Sequence, residues 1–188
     1  MRIVSGSAKG KKILVPIDKK TRPLKDMVKE SIFNIILHSN LFQSKIKNSN
    51  ILDLFSGVGS FGLEAISRGA KKVVFFEDYK PALDLLKKNI TNLEFLNKSE
   101  IYQKDISNKN NLKRLSYKFD LVFLDPPFDY KKINILFDNL EYSNIIHSKT
   151  LIILHRHIKS FDEFKKNFKI VREEKYGNSK IIFGYFIF

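Results

Sequence analysis

The 188-residue chain is 43% hydrophobic, enough for one domain with a sizeable core, and its longest apolar stretches, Val73–Phe76 and Ile181–Phe188, are too short to cross a bilayer. The absence of cysteine excludes disulfides and thiolate metal sites, and the four histidines lack the spacing of a zinc cluster, so no metal is expected. The chain has no apolar signal segment at its start, so it is expected to be cytoplasmic. Its net charge of +14 predicts a polyanionic partner. We expect a monomer with a single domain over residues 1–188.

The first 40 residues are expected to form a basic extension of that domain. Residues 1–30 carry nine basic and three acidic side chains, a net charge of +6. Two short strands, Arg2–Ser5 and Lys12–Val15, are predicted on either side of the turn Gly6–Lys11, which makes a small N-terminal β-hairpin. The run Lys25–His38 then predicts an amphipathic helix, with charges on one face and these residues on the apolar face: Met27, Val28, Ile32, Ile35 and Ile36.

The basic side chains of this extension are candidate contacts for RNA phosphates, because such contacts position a substrate without reading its sequence. A solvated hairpin explains them equally well. Only six of the 34 basic residues are Arg, and abundant Lys is also what a genome-wide compositional bias would produce. The candidate RNA contacts are Lys9, Lys11, Lys12 and Arg22.

From Ile51 onward, short β-rich runs alternate with helical patterns, which predicts a parallel sheet covered by helices. The strand and helix pairs are Ile51–Phe55 with Phe61–Arg68, Lys72–Glu77 with Pro81–Ile90, Glu100–Lys104 with a polar turn, and Phe119–Leu124 with Lys131–Leu140, followed by the strand Thr150–Leu154. The last strands, Phe168–Arg172 and Lys180–Ile187, flank the turn Tyr176–Ser179 and are expected to pair antiparallel. We therefore expect an α/β, Rossmann-like core over residues 50–188, with a mostly parallel seven-stranded sheet and an antiparallel C-terminal strand, as in class I methyltransferases rather than dehydrogenases.

The segment Asp53–Gly62 lies on the turn between the first main strand and its helix, where an open α/β sheet binds its ligand. Gly57 and Gly59 let the backbone approach a ligand closely, and Gly62 permits tight packing of helix on strand. The same glycines satisfy the dinucleotide fingerprint, so a nicotinamide-dependent oxidoreductase stays open, as does a turn without a ligand. Candidate cofactor contacts in this segment are Asp53, Phe55, Ser56, Gly57, Gly59 and Gly62.

Acidic residues follow the next two strands. Glu77 can accept hydrogen bonds from both hydroxyls of a ribose, although Asp78 beside it is an alternative and a solvated carboxylate is another. Asp105, with Ile106, is a candidate contact for an adenine ring, and its competing interpretation is a helix cap.

The motif Asp125-Pro126-Pro127-Phe128 favours methyl transfer to an exocyclic amino group. Such an amine is a poor nucleophile, and the Asp125 carboxylate and Pro126 carbonyl can accept its two hydrogens. The prolines fix the backbone and Phe128 offers a stacking face for an extruded base. A rigid turn that merely caps the next helix is the alternative. The cluster His155-Arg156-His157 is interpreted as solvated surface.

Nearly the whole chain resembles the bacterial small-subunit ribosomal RNA guanine-N2 methyltransferases of the RsmD type. The resemblance rests on Arg2–Gly6 with Lys9–Lys12, on Thr21–Pro23 followed by Asp26, Val28–Glu30 and Phe33–Ile35, on Asp53–Gly62, and on Asp125–Phe128. It implies direct in-line transfer from S-adenosylmethionine to a guanine N2 of 16S rRNA, in an assembling 30S subunit, with S-adenosylhomocysteine as product. Asp125 and Pro126 would bind that amino group. A DNA adenine-N6 methyltransferase and a non-enzymatic RNA-binding or ribosome assembly factor remain as alternatives.

Overall fold

The computed structural model describes residues 1–16, 24–39 and 45–188. Helices and strands alternate through most of this range, because β-branched and aromatic runs are separated by glycine and asparagine turns. The helices are α1 (Asp26–His38), α2 (Ser60–Ser67), α3 (Lys80–Asn92), α4 (Lys109–Lys113) and α5 (Ile133–Tyr142). The strands are β1 (Asn50–Leu54), β2 (Lys72–Phe76), β3 (Ser99–Tyr102), β4 (Leu121–Leu124), β5 (Leu151–His157), β6 (Phe168–Tyr176) and β7 (Ser179–Phe186).

The seven strands form one sheet in the order β3-β2-β1-β4-β5-β7-β6. The pairs among β1 to β5 are all parallel, whereas β7 runs antiparallel to both β5 and β6. The prediction of a mostly parallel sheet with an antiparallel C-terminal strand is confirmed. The strand order reverses between β1 and β4, so a ligand crevice is expected at the carboxyl ends of these two strands.

Helices cover both faces of the sheet. On one face, α1, α2, α3 and the N-terminal segment bury a continuous apolar cluster that includes Phe33, Phe61 and Phe123. Their rings are stacked, with centroids 4.9 Å apart for Phe33 and Phe61 and 4.0 Å for Phe61 and Phe123. The other face packs against α4 and α5 in a second cluster. No helix in the described part of the chain is long and apolar enough to cross a membrane.

The predicted N-terminal hairpin is wrong. Residues 2–15 contain one isolated antiparallel bridge, Arg2 with Lys12, and no strand. The reason is that helix α2 takes the backbone donors a hairpin would need: the Glu64 carboxylate accepts hydrogen bonds from the Val4 and Ser5 N–H groups at 2.7 and 2.9 Å. The buried side chains Ile3, Ala8 and Ile13 anchor the segment to the core.

Helix α1 is present, but its apolar face differs from the prediction. Met27 is exposed, whereas Lys29 is fully buried. The Lys29 ammonium donates a hydrogen bond to the Arg2 carbonyl at 2.8 Å and lies 3.7 Å from the Glu64 carboxylate. The charge of Lys29 is therefore compensated inside the protein, between α1, α2 and the N-terminal segment.

Two further boundaries differ in ways that affect the site. Strand β3 ends at Tyr102, so Asp105 lies beyond it in a turn, and the predicted polar turn contains the short helix α4. Strand β5 continues to His157, three residues past the predicted end, because its pairing with β7 extends to the register His157 with Ser179.

Candidate active site

The glycine loop between β1 and α2 is held open at the carboxyl edge of the sheet. Ser56 is fixed by two hydrogen bonds to the Phe76 carbonyl, one from its N–H at 3.0 Å and one from its hydroxyl at 3.2 Å. Gly57 has a φ of 55°, and a Cβ added there would meet no atom within 4 Å, so the loop presents bare backbone to open space. At Gly62 an added Cβ would lie 2.3 Å from the Phe75 ring, which requires glycine for the packing of α2 on β2.

Asp53 lies beneath this loop and is 1% exposed. Its Oδ2 accepts a hydrogen bond from the Gly62 N–H at 3.0 Å, and its buried Oδ1 has no partner among the described residues. Burial raises the pKa of Asp53 well above its ordinary value, an effect that the Gly62 N–H opposes and the nearby Asp125 and Glu77 carboxylates reinforce. The site therefore contains a buried hydrogen-bond acceptor, Asp53 Oδ1, without a partner among the described residues, next to backbone at Gly57 that faces open space.

Glu77 follows β2 and connects the two neighbouring loops. Its carboxylate accepts hydrogen bonds from the Gly57 N–H at 2.6 Å and the Tyr79 N–H at 2.8 Å. Burial raises the pKa of Glu77, and these two N–H groups partly offset the effect. Asp78, the alternative residue, is exposed.

Three loops meet around Tyr130. Phe55, a non-glycine residue with a φ of 60°, places its ring edge-to-face with Tyr130 at a centroid distance of 5.3 Å. Ser107 Oγ lies 3.4 Å from the Tyr130 hydroxyl. Asp105 is exposed and accepts a hydrogen bond from the Ser107 N–H at 2.7 Å, while Ile106 is buried. The contacts of Asp105 are thus those of a local turn.

The motif Asp125–Phe128 begins directly after β4, next to the glycine loop. The Asp125 N–H donates a hydrogen bond to the Leu54 carbonyl at 3.2 Å, which extends the pairing of β4 with β1 by one residue. Pro126 is buried, Pro127 is exposed, and Phe128 is half-buried. The structure therefore brings Asp53, Glu77 and Asp125 to the same edge of the sheet as the glycine loop.

The interpretation of His155-Arg156-His157 as solvated surface is wrong. His155 is 7% exposed and Arg156 is 3% exposed, because β5 continues through them beside β4. His155 Nδ1 lies 2.8 Å from Asp125 Oδ1, and His155 Nε2 lies 2.9 Å from Ser179 Oγ. Both His155 and His157 pack edge-to-face against the Phe128 ring.

Arg156 holds the backbone of the loop that follows Asp125. Its guanidinium donates hydrogen bonds to the Pro127 carbonyl at 3.1 Å and the Tyr130 carbonyl at 2.7 Å. It also forms a bidentate ion pair with the buried Asp162 carboxylate, in which Nε lies 2.9 Å from Oδ2 and Nη2 lies 3.0 Å from Oδ1. An adjoining cleft of about 440 Å³ is lined by Phe128, Tyr130, Arg156 and the exposed Phe161, among others.

The protein is similar to a known family and to several known proteins. The family described as Conserved hypothetical protein 95 matches residues 1–185. YlbH of Bacillus subtilis is 31% identical over 179 residues, which cover 94% of each protein. The chain belongs to this family. Ribosomal RNA small subunit methyltransferase D of Haemophilus influenzae is 38% identical over 148 residues, covering 74% of this chain and 72% of that protein.

A solved structure supports the same assignment. The Haemophilus influenzae protein HI0767 superposes with a TM-score of 0.77 at 29% identity, covering 100% of this chain and 98% of that one. Membership in the family and the seven-stranded fold together make the chain a class I, S-adenosylmethionine-dependent methyltransferase. The resemblance to the RsmD type is thereby confirmed.

The sequence did not predict every residue that the structure places at this site. His155, Arg156 and Tyr130 were not predicted to take part, although a run of ionisable residues directly after a buried strand is a usable signal in a parallel sheet. Of the predicted RNA contacts, Lys9, Lys11 and Lys12 are exposed, and Arg22 lies outside the described residues.

Proposed function

We propose that this protein transfers a methyl group from S-adenosylmethionine to the exocyclic N2 of a guanine in small-subunit (16S) ribosomal RNA. The observation that carries the proposal is the position of Asp125-Pro126-Pro127-Phe128 at the end of β4, hydrogen-bonded to the strand that leads into the glycine loop. A methyl donor on that loop and an amine at Asp125 would be neighbours. The relative named as a small-subunit ribosomal RNA methyltransferase supports the substrate.

The residues at the glycine loop fit the cofactor. Asp53 Oδ1 is a buried acceptor without a partner among the described residues, and the backbone beside Gly57 faces open space. Such a site suits a ligand that brings its own donors, as the ammonium group and ribose hydroxyls of S-adenosylmethionine do. We propose that Phe55, Ser56, Gly57, Gly59 and Gly62 shape this site with Asp53, that Glu77 accepts the ribose hydroxyls, and that Asp105 and Ile106 lie at the adenine.

When bound, the cofactor supplies a methyl group on a sulfonium centre, which needs no further activation. The protein therefore contributes mainly by aligning the acceptor amine with the methyl group. The Asp125 carboxylate and Pro126 carbonyl accept the two amine hydrogens, which fixes the direction of the nitrogen lone pair. Pro127 stiffens the turn, Phe128 stacks on the extruded base, and the negative charge of Asp125 stabilises the positive charge that develops on the amine.

The wider RNA contact is assigned to the N-terminal segment. Lys9, Lys11 and Lys12 are exposed, and the segment is fastened to α2 by Glu64, so it presents positive charge from a fixed position. Together with Arg22, these side chains would hold phosphates of a 16S rRNA that is already part of an assembling 30S subunit.

The test is transfer of labelled methyl from S-adenosylmethionine to small ribosomal subunits that lack the modification, with large subunits and duplex DNA in parallel. Nucleoside analysis of the labelled product is expected to give N2-methylguanosine, from small subunits alone. Wild-type protein and an Asp125→Ala variant are run together, so that a contaminating activity shows as label that survives the substitution.

Other outcomes point to the rival functions. Label in N6-methyladenine of duplex DNA would keep the fold and the cofactor but overturn the substrate. Binding of small subunits without transfer, unchanged in the Asp125→Ala variant, would indicate an assembly factor.

A further inference from the structure

We infer that His155 is a positioning residue for methyl transfer, which fixes one oxygen of the Asp125 carboxylate so that the other faces the acceptor amine. The inference rests on the proposed function, since it assigns Asp125 to the acceptor. It adds a residue from β5, a strand that carries no part of the glycine loop or of the motif after β4.

The contact between the two side chains is direct and largely shielded from water. His155 Nδ1 lies 2.8 Å from Asp125 Oδ1, and the side chains of His155 and Asp125 are 8% and 19% exposed. A carboxylate can only accept a hydrogen bond, so Nδ1 carries the proton and donates it. One of the two oxygens of Asp125 is therefore occupied, and Oδ2 is left for a substrate.

The imidazole ring is itself held from the opposite side. In the neutral ring with a proton on Nδ1, Nε2 is an acceptor, and the Ser179 hydroxyl lies 2.9 Å away to donate to it. Ser179 begins β7, directly after the turn at Gly177. The Phe128 ring lies edge-to-face with His155 at a centroid distance of 5.7 Å. The Asp125 carboxylate thus places the proton on Nδ1, and Ser179, a residue of another strand, helps to hold the orientation of the ring.

This arrangement matters because an aromatic amine must be held at a defined angle to react. A free aspartate samples several rotamers, of which only some place an oxygen against the amine hydrogen. A hydrogen bond from a fixed imidazole selects one rotamer before the substrate arrives, as the residues that support catalytic groups generally do. The expected signature is a loss in kcat with no change in cofactor binding.

The test compares two substitutions of the same residue. His155→Leu removes the donor, and kcat on small subunits is expected to fall by roughly 100-fold, the scale of a misplaced reacting group. His155→Asn keeps an N–H donor near the position of Nδ1 and is expected to recover most of that loss. KM for S-adenosylmethionine stays unchanged in both variants. His38→Leu, at an exposed histidine on α1, is the matched control and keeps wild-type kcat.

Two results would overturn the inference: wild-type kcat in His155→Leu, or a His155→Asn variant that folds yet is as slow as His155→Leu. The imidazole Nδ1–H group, observed in proton–nitrogen-15 NMR spectra, provides a measurement that needs no turnover. Asp125→Ala is expected to shift that resonance or lose it to exchange, and an unmoved resonance would contradict the contact. An inactive wild-type protein with a resonance that moves would instead refute the proposed function, and with it the role in methyl transfer, while the contact between His155 and Asp125 would stand.

Discussion

Two aspartates at the same edge of the sheet differ in burial and in hydrogen-bond partners, which indicates that they have different functions. Asp53 is buried, accepts a hydrogen bond from one backbone N–H and has no cationic partner among the described residues. Asp125 is part-exposed and held by an imidazole donor. Asp53 is suited to organising the glycine loop and its ligand, whereas Asp125 is suited to meeting a substrate that arrives from solvent.

Loss of the Asp125 carboxylate should separate chemistry from cofactor binding. Asp125→Ala is expected to lower kcat by about 100-fold or more, because the amine loses its acceptor and the stabilising charge. The dissociation constant of S-adenosylmethionine, measured by calorimetry, should be kept because Glu77 and the glycine loop are untouched. Asp84→Ala, at a carboxylate on α3 that pairs with Lys80, is the control with normal turnover. Wild-type kcat in Asp125→Ala would remove the catalytic assignment.

Asp53 should make stability depend on pH. Since burial raises its pKa, the folded chain holds a proton at pH values where the unfolded chain has lost it. The free energy of unfolding therefore falls as pH rises through that interval, by up to about 1.4 kcal/mol per pH unit. Asp53→Asn keeps an acceptor for the Gly62 N–H and removes the titration.

Urea unfolding at a series of pH values checks this. The stability of Asp53→Asn relative to wild type is expected to rise with pH above about 4, the unfolded value of an aspartate. Asp84→Asn is the control. Hydrogen bonding to Lys80 lowers the pKa of Asp84, so once the pH is well above the unfolded value of an aspartate this group is ionised in both states and gives a flat difference. A flat difference for Asp53→Asn as well would mean that the pKa of Asp53 is not raised.

At the level of elements, β5 supports the motif that follows β4. Two consecutive residues of β5 perform different tasks: His155 contacts the Asp125 side chain, and Arg156 contacts the loop backbone at Pro127 and Tyr130. Successive side chains of a strand point to opposite faces, so one short run can hold a loop from two sides. The acceptor site is therefore a product of two adjacent strands.

Substitution of Arg156 should show that the loop is held rather than self-supporting. Arg156→Met leaves the Asp162 carboxylate buried without its partner, which is expected to cost about 3–5 kcal/mol of stability. The double variant Arg156→Met with Asp162→Leu should regain most of that stability, since an apolar pair can replace a buried ion pair. Methyl transfer should stay low in both variants, because the loop carbonyls still lack donors. Recovery of kcat in the double variant would show that Arg156 acts only through stability.

At the level of the whole molecule, positive charge is carried on a segment that the core fixes in place. The net charge is +14, and the N-terminal segment bearing Lys9, Lys11 and Lys12 is attached to α2 through Glu64 and Ser67. A tethered basic segment of this kind loses little conformational entropy on binding, compared with a disordered tail.

Combined replacement of Lys9, Lys11 and Lys12 by Ala should weaken RNA binding and reduce its salt dependence. Each lost phosphate contact is expected to lower the slope of log K against log salt by about 0.7–0.9. The control replaces three exposed lysines on and beside the edge strand β6, namely Lys166, Lys169 and Lys175, with the same change in net charge. Equal slopes for the two triple variants would mean that only total charge matters and that the N-terminal segment is not a specific RNA contact.

The sequence alone determined the features that depend on neighbouring residues. Alternating apolar runs predicted the order of strands β1 to β7 and of helices α1, α2, α3 and α5. Glycine and proline chemistry placed the turn at Gly57 and the motif at Asp125, because these preferences act over a few residues. The tertiary structure decided what depends on distant partners. The hairpin is absent because Glu64, about 60 residues away, takes its backbone donors. His155 and Arg156 are buried because pairing with β7 extends β5 beyond its apolar run and beside the Asp125 loop, a neighbour relation that no local pattern encodes.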